Sequence, residues 1–458
     1  MGEDRRTELA AKPVAKLLLK YSIPAIIGMV VNSMYNLVDT IFIGQGAGSD
    51  ALAALTVCYP LQFFILAVAQ TVGIGSASMI SRSLGSGDQR RAEQTAGSSF
   101  GLVVLLAFIL TVAFLSFLDP LLRLFGATDL LIPLCREYMI PTMLGSVFFA
   151  FAVSSNNIAR SEGAVNVAMF SMVAGAVANA LFDPILIFDW GFGWGIFGAA
   201  ISTVIANILS CVILLRYQLS GRSLLNVTAR DLVPKLSLLP EMFAIGSSSF
   251  ARTVAASLFA LVANNAIITY GTETHLAIIG VASRVLLFVM MPLFGVIHGL
   301  QPIVGFNYGA RSFARVREAL KTAIWASVAY CMVFYALIMT FAEPLLKLFG
   351  DDPYLIEEGP GVMRLMVLVL PTVGVQIIGA SLFQAIGKAL PALFFSTSRQ
   401  VLFLVPLVLT LPLAFGLQGV WFAVPAADAL ATIATLLWVS REISIMKKLE
   451  LQPLGSGS

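Results

Sequence analysis

The chain of 458 residues is 58% hydrophobic and 12% charged, with a mean hydropathy of +0.91. A soluble domain averages about 25% charged residues, so this composition excludes an ordinary soluble enzyme, a disordered protein and a nucleic-acid binder. The net charge of +3, from 28 Lys and Arg against 25 Asp and Glu, says little by itself; the placement of those charges says more.

A helical span needs about 20 apolar residues. Twelve stretches qualify in chain order: 16–44, 51–81, 94–118, 132–159, 163–188, 195–217, 239–270, 276–308, 318–342, 358–386, 389–415 and 419–441. Strands of a membrane barrel would be about ten residues long and strictly alternating, so the expected fold class is an all-α membrane protein with twelve transmembrane helices. Lys and Arg in the connecting segments fall 21 on one side, Arg160 among them, and 3 on the other, namely Arg123, Arg136 and Lys347. The positive-inside rule then places both termini in the cytoplasm of a multi-pass protein of the plasma (inner, cell) membrane. The first apolar run is too long for a signal peptide and stays as a helix. Leu454-Gly455-Ser456-Gly457-Ser458 reads as a tail of cloning origin. Cys58, Cys135, Cys211 and Cys331 lie scattered in apolar runs and read as small buried hydrophobes; with His275 and His298 they form no zinc or redox pattern.

Charges inside spans are costly and usually functional. In the first span Asn32, Tyr35, Asn36 and Asp39 fall at i, i+3, i+4 and i+7, a polar stripe on one helix face. Pro24, fifteen residues before Asp39, weakens the same helix by removing an amide donor, which makes it a candidate hinge. The fifth span carries Asn179 and Asp183, four residues apart, with Pro184 freeing the carbonyl of Ala180. Thr203 in the sixth span reaches a similar depth. Asp39 and Asp183 lie at matched depth near the outer side, and no basic residue is expected inside an N-terminal span. This all-oxygen set suits a hard cation, H⁺ or Na⁺. In the C-terminal half Arg252, Arg284 and Arg399 lie inside spans, and Asp428 sits near the middle of the twelfth. Asp428 reads either as a structural partner of an arginine or, with Arg284, as a charge lining a substrate cavity. Met290 is a candidate for that cavity's adaptable apolar wall, and Asn32 and Asn36 are candidates for its polar lining.

The halves align at a constant offset of 224 residues. Asp119-Pro-Leu-Leu-Arg-Leu-Phe-Gly126 sits over Glu343-Pro-Leu-Leu-Lys-Leu-Phe-Gly350, and Gly85, Gly163 and Gly195 match Gly309, Gly387 and Gly419. Six spans per half is an even number, so the repeats are parallel and related by a pseudo-two-fold axis, as in secondary transporters. The expected organisation is an N-lobe over 1–217 with helices 1–6, a cytoplasmic linker over 218–238, a C-lobe over 239–450 with helices 7–12, and a tail over 451–458.

Val38-Asp39-Thr40-Ile41-Phe42-Ile43-Gly44, followed by Ala51-Leu52-Ala53-Ala54 and Pro60, resembles the first signature of the multidrug and toxic compound extrusion (MATE) family. Gln301-Pro302, Gly305 and Asn307-Tyr308-Gly309-Ala310 resemble its eighth-helix ending. The likeness covers nearly the whole chain and is closest to the branch with the DNA-damage-inducible and archaeal members. It implies a secondary multidrug antiporter that exports amphipathic, often cationic compounds in exchange for H⁺ or Na⁺. No cofactor is implied, and the expected partners are small-molecule substrates and the lipid bilayer, with no nucleic acid and a monomeric state. Asp39, Asn179, Asp183 and Thr203 match that branch's coupling site, Tyr35 its nearby tyrosine, and Pro24 its bending proline. Asn264, Asn265, Gln376 and Gln384 stand in the spans where the other bacterial branch carries acids. A lipid-linked saccharide flippase of the same superfamily is the alternative, favoured by Arg252, Arg284 and Arg399. An enzyme is not expected, because no catalytic set is discernible.

Overall fold

The computed structural model describes residues 2–347 and 353–451; Leu348-Phe349-Gly350 of the second repeat motif and the tail 452–458 lie outside them. A short helix α1 (Gly2–Ala11) precedes the N-lobe helices α2 (Val14–Gly46), α3 (Ser49–Ser86), α4 (Gln89–Ser116), α5 (Leu118–Leu124), α6 (Leu131–Leu144), α7 (Ser146–Ser161), α8 (Val165–Ile187) and α9 (Gly195–Leu219). A 3₁₀ turn (Ala229–Leu232) lies in the connection to the C-lobe. There follow α10 (Leu239–Tyr270), α11 (Glu273–Gly309), α12 (Phe313–Lys347), α13 (Pro353–Met366), α14 (Leu370–Ala385), α15 (Ala389–Thr397), α16 (Val405–Phe415) and α17 (Leu417–Glu450). A π-helical stretch, Ser398–Leu404, joins α15 to α16.

Ten of the described helices are long and apolar enough to cross a membrane by themselves, and two bent pairs complete twelve spans. The bends are 52° between α6 and α7 and 46° between α13 and α14, so the fourth span of each lobe is broken at the same place. The duplication also shows in the helix starts: Ser49 and Glu273, Gln89 and Phe313, and Val165 and Ala389 each stand 224 residues apart. Gly163 and Gly387, matched at that offset, both turn the chain with positive φ, +81° and +79°, a region that favours glycine.

Across the lobes α2 packs on α11, and α3 on α10 and α11. The seam is tight because a Cβ on Gly295 or Gly299 would stand 2.7 Å from the backbone nitrogen of Ile26 or Ser22. One core cluster joins both lobes through Leu17, Tyr21, Ile80 and Leu84 with Leu300, Val304 and Phe383, at the end of the molecule that holds both termini. Toward the other end the core divides. One part surrounds Leu55, Met139 and Ile196 in the N-lobe, and the other surrounds Ile267, Val289 and Val420 in the C-lobe. Away from the termini each lobe is thus built mainly round its own core, and the space between them is the candidate cleft.

On that closed end α1 bridges the lobes. Arg5 donates to the Tyr217 hydroxyl at 2.6 Å and Arg6 bonds Gln89, both in the N-lobe. From the C-lobe, Arg315 donates to the carbonyls of Leu9 (3.2 Å) and Lys12 (2.7 Å), and Asn307 to Leu9 (3.2 Å).

Candidate functional site

The helical repeat of 100° per residue sorts the side chains of α2 into faces. Ser22 and Ile26 meet α11, while Gly28 meets Met169 and Met172 of α8. Tyr35 and Asp39 lie in register with Gly28 and so turn toward α8. Asn32 and Asn36 lie between the α8 and α11 faces. Both are exposed, with Asn36 Nδ2 donating to the Asn32 carbonyl at 2.7 Å, so they face the cleft rather than the acids. Ile23, Ile27, Met34 and Ile41 form the remaining, apolar and exposed face, as contact with lipid requires.

Where α2 meets α8 the two acids come together. Asp39 is 6% exposed and Asp183 fully buried, and their carboxyl groups lie within hydrogen-bonding reach of each other. Asn179, one turn before Asp183 on α8, donates from Nδ2 to Asp183 Oδ1 and to Ser202 Oγ, each at 3.2 Å. Ser202 Oγ returns a bond to the Asn179 carbonyl at 3.2 Å. With both hydrogens of the amide directed that way, Asn179 Oδ1 is free to face inward. Thr203 and Tyr35 lie side by side at the edge of the pocket. Asp39 Oδ1, Asn179 Oδ1, Asp183 Oδ2 and Thr203 Oγ1 are buried oxygens with no hydrogen-bond partner.

Such a set is expensive unless something satisfies it. Carboxyl oxygens in contact hydrogen-bond only when one carries a proton, and converging acceptors suit a hard cation. The arrangement can therefore take up a proton or a small cation at the expense of the other. Neither acid has a basic partner among the described residues.

Sequence reasoning missed three neighbours of the site. Ser202 holds Asn179 in place, while Tyr59 and Tyr138 lie close enough to Asp39 to feel its charge. Ser202 adjoins Thr203 and was open to discovery by that adjacency. The tyrosines lie in apolar runs of α3 and α6, where only their polar tips distinguish them from packing aromatics.

Other candidates separate. Met290 packs against the C-lobe core and does not accompany Arg284, which is exposed. Asp428, 3% exposed, takes Arg399 Nε and Nη2 in a two-point ion pair, the second contact at 3.3 Å. Of the two readings of Asp428 the geometry is the structural pair, and it ties α17 to the π-helical break. Pro24 stands inside an unbroken α2. Arg160 requires a correction: it is not a loop residue but lies within α7, 7% exposed. The span stops at Ser161, deeper than α3 beside it, so the end of the helix lies inside the protein.

The MatE family profile matches the chain twice, over residues 24–185 and 249–410. The chain is 25% identical over 439 residues to the multidrug export protein MepA of Staphylococcus aureus (strain NCTC 8325 / PS 47), covering 96% of each. It is 28% identical over 450 residues to a FAD transporter of Shewanella oneidensis, covering 94% of this chain and 95% of that protein. Crystal structures of a MATE in bent and straight conformations both superpose with a TM-score of 0.90 at 28% identity, covering 98% and 96% of this chain and 99% of theirs. Two matched repeats, a helical fold of twelve spans and likeness over nearly the full length give one conclusion: the chain is a multi-pass membrane protein that belongs to the MatE family of transporters.

Proposed function

We propose that this transporter is a secondary multidrug antiporter, exporting amphipathic and often cationic compounds in exchange for H⁺ or Na⁺. The observation that carries the coupling is the contact between Asp39 and Asp183, ringed by buried oxygens that lack donors. The name of MepA, a multidrug export protein, supports the substrate class. In this reading residues 1–217 and 239–450 are two lobes that rock about the seam, and 218–238 is the linker. The protein acts as a monomer in the plasma membrane with both termini in the cytoplasm, so the cleft opens outward. An ion bound unequally by the outward-open and inward-open states biases the lobes between them; Asp39, Asn179, Asp183 and Thr203 hold it, Tyr35 closes the pocket, and Pro24 lets α2 bend.

The test is efflux of a fluorescent cation from proteoliposomes of the purified protein, driven separately by a pH gradient and by a Na⁺ gradient. Accumulation against its gradient under either drive supports the antiporter; equilibration at the same rate with and without both gradients overturns it.

A further inference from the structure

At the floor of the cleft three helices bring two guanidinium groups and an imidazole together, with no acid beside them among the described residues. Arg160 on α7 donates from Nη2 to Asn157 Oδ1 at 3.2 Å, and its buried Nε meets no acceptor. Asn157 is held for that role, since its Nδ2 donates to Gln70 Oε1 (3.0 Å) and the Val153 carbonyl (2.9 Å). Arg252 on α10 is half-buried and reaches Ser249 Oγ at 3.3 Å. His298 on α11 lies within electrostatic range of both guanidinium groups, and its Nδ1 is buried without a partner. One turn further, Gln301 is 7% exposed and leaves Nε2 unpartnered. No carboxylate faces Arg160 or Arg252 among the described residues.

These groups share one level. Arg252 and His298 stand roughly 20 and 17 Å along their helices, measured from Leu239 and Gly309. Asn157 packs on Gly73, itself roughly 20 Å from the end of α3. That level is where the shared core gives way to the divided one. A guanidinium taken out of water without a counter-ion is costly. Donors that converge without acceptors are complementary to an anion, which guanidinium groups bind in two-point contacts.

We propose that this floor is an anion-binding site, in which Arg160, Arg252 and His298 receive the phosphate, pyrophosphate or carboxylate group of an amphipathic substrate. The substrate's apolar body lies against the cleft walls. The proposal deepens the transport reading and rests on it for the cleft being the substrate path; the binding itself is measured without transport.

Riboflavin and riboflavin 5′-phosphate, which differ by one phosphate, are titrated against the full chain in lipid nanodiscs, and binding is read from flavin fluorescence. The phosphate form is expected to bind at least about tenfold more tightly, a factor comparable to one or two charge-assisted hydrogen bonds. Arg252→Gln and Arg160→Gln reduce that ratio to below about threefold, whereas Arg160→Lys, which keeps the charge, holds it above threefold. Arg252 is only half-buried, so its variant decides the matter if Arg160→Gln does not fold. Displacement of riboflavin 5′-phosphate by inorganic pyrophosphate assigns the site to soluble anions. Binding of polyprenyl pyrophosphate alone, weakened by Arg252→Gln, assigns it to a lipid headgroup. Equal affinity for the two flavins without lipid pyrophosphate binding, or a preference that survives Arg252→Gln, overturns the proposal. Cation efflux is scored separately: its failure beside an intact phosphate preference overturns the coupling reading alone, and the converse overturns the anion site alone.

Discussion

The fifth and sixth spans of the N-lobe and the last two of the C-lobe are the same scaffold, since α8 and α15 begin 224 residues apart. Each pair buries acid, and the two pairs resolve its cost in opposite ways. In the N-lobe Asp183 meets another acid, Asp39, and the remaining neighbours are neutral. In the C-lobe Asp428 meets Arg399, and the opposite charges are paired. A buried ion pair of good geometry holds a fixed charge state, whereas touching carboxyls change theirs with the ion they hold. On the proposed coupling, duplication left one half able to respond to ions and gave the other a static brace.

Breaking the responsive half carries the largest expected effect. Asp39→Asn and Asp183→Asn each reduce gradient-driven efflux to the level of empty vesicles, and the double variant loses no more, because the pair acts as a unit. Additive partial losses in a double-mutant cycle would separate the two acids into independent steps. On the other side, Asp428→Asn strands Arg399 and lowers stability by about 3–5 kcal/mol, while coupling per folded molecule survives. Adding Arg399→Gln restores most of the melting temperature in detergent; an unrecovered Tm would mean that the pair is not the brace.

A third acid sharpens the contrast from outside the spanning helices. Glu162, in the turn after α7, is fully buried and accepts from Ser223 Oγ at 2.8 Å and the Leu224 amide at 2.6 Å. Burial pushes its carboxyl up to about 6, above the 4.5 of a free glutamate, with these hydrogen bonds and Arg5 opposing. The folded state holds the proton more tightly, so this contribution is complete below about pH 4.5 and is lost as pH rises toward 6. It amounts to about 2 kcal/mol. Wild-type Tm should fall across that window relative to Glu162→Gln, and parallel curves would remove Glu162 from the balance. The smallest effect concerns Pro24. Spin labels at the outer end of α2 and on α9 should shift by a few Å between pH 5 and 8, or on adding Na⁺; Pro24→Ala should flatten that response, and unchanged distances in the wild type would leave α2 a rigid element.

The fold was legible because a span is a long signal: twenty apolar residues and a sided distribution of Lys and Arg leave little choice of architecture. Asp39 and Asp183 were legible for the same reason, each a charge where charge is expensive. The breaks at Gly145 and beyond Met366 were not, since an apolar run reads the same whether straight or bent. Ser202, Tyr59 and Tyr138 carry no charge, so their place at the acids comes only from packing. Arg160 was misplaced because a basic residue at the end of an apolar run looks like a loop residue until the depth of its neighbours is known. Asp428 showed as an intramembrane acid, yet its choice of Arg399 over Arg252 or Arg284 depends on a π-helical turn that the sequence does not announce.

The short helix α1 sets a clock. It is bonded to both lobes on the end where they meet, so any motion that parts them there must first break its bonds to Tyr217 and Gln89, or else those that Leu9 accepts from Asn307 and Arg315. At about 1 kcal/mol for each hydrogen bond, a few of them lengthen the dwell of the closed end by one or two orders of magnitude. They do so without touching the acids, the cleft or its ligands. On the proposed exchange, the thermodynamics belong to the membrane interior, while these ten residues outside it slow each turnover.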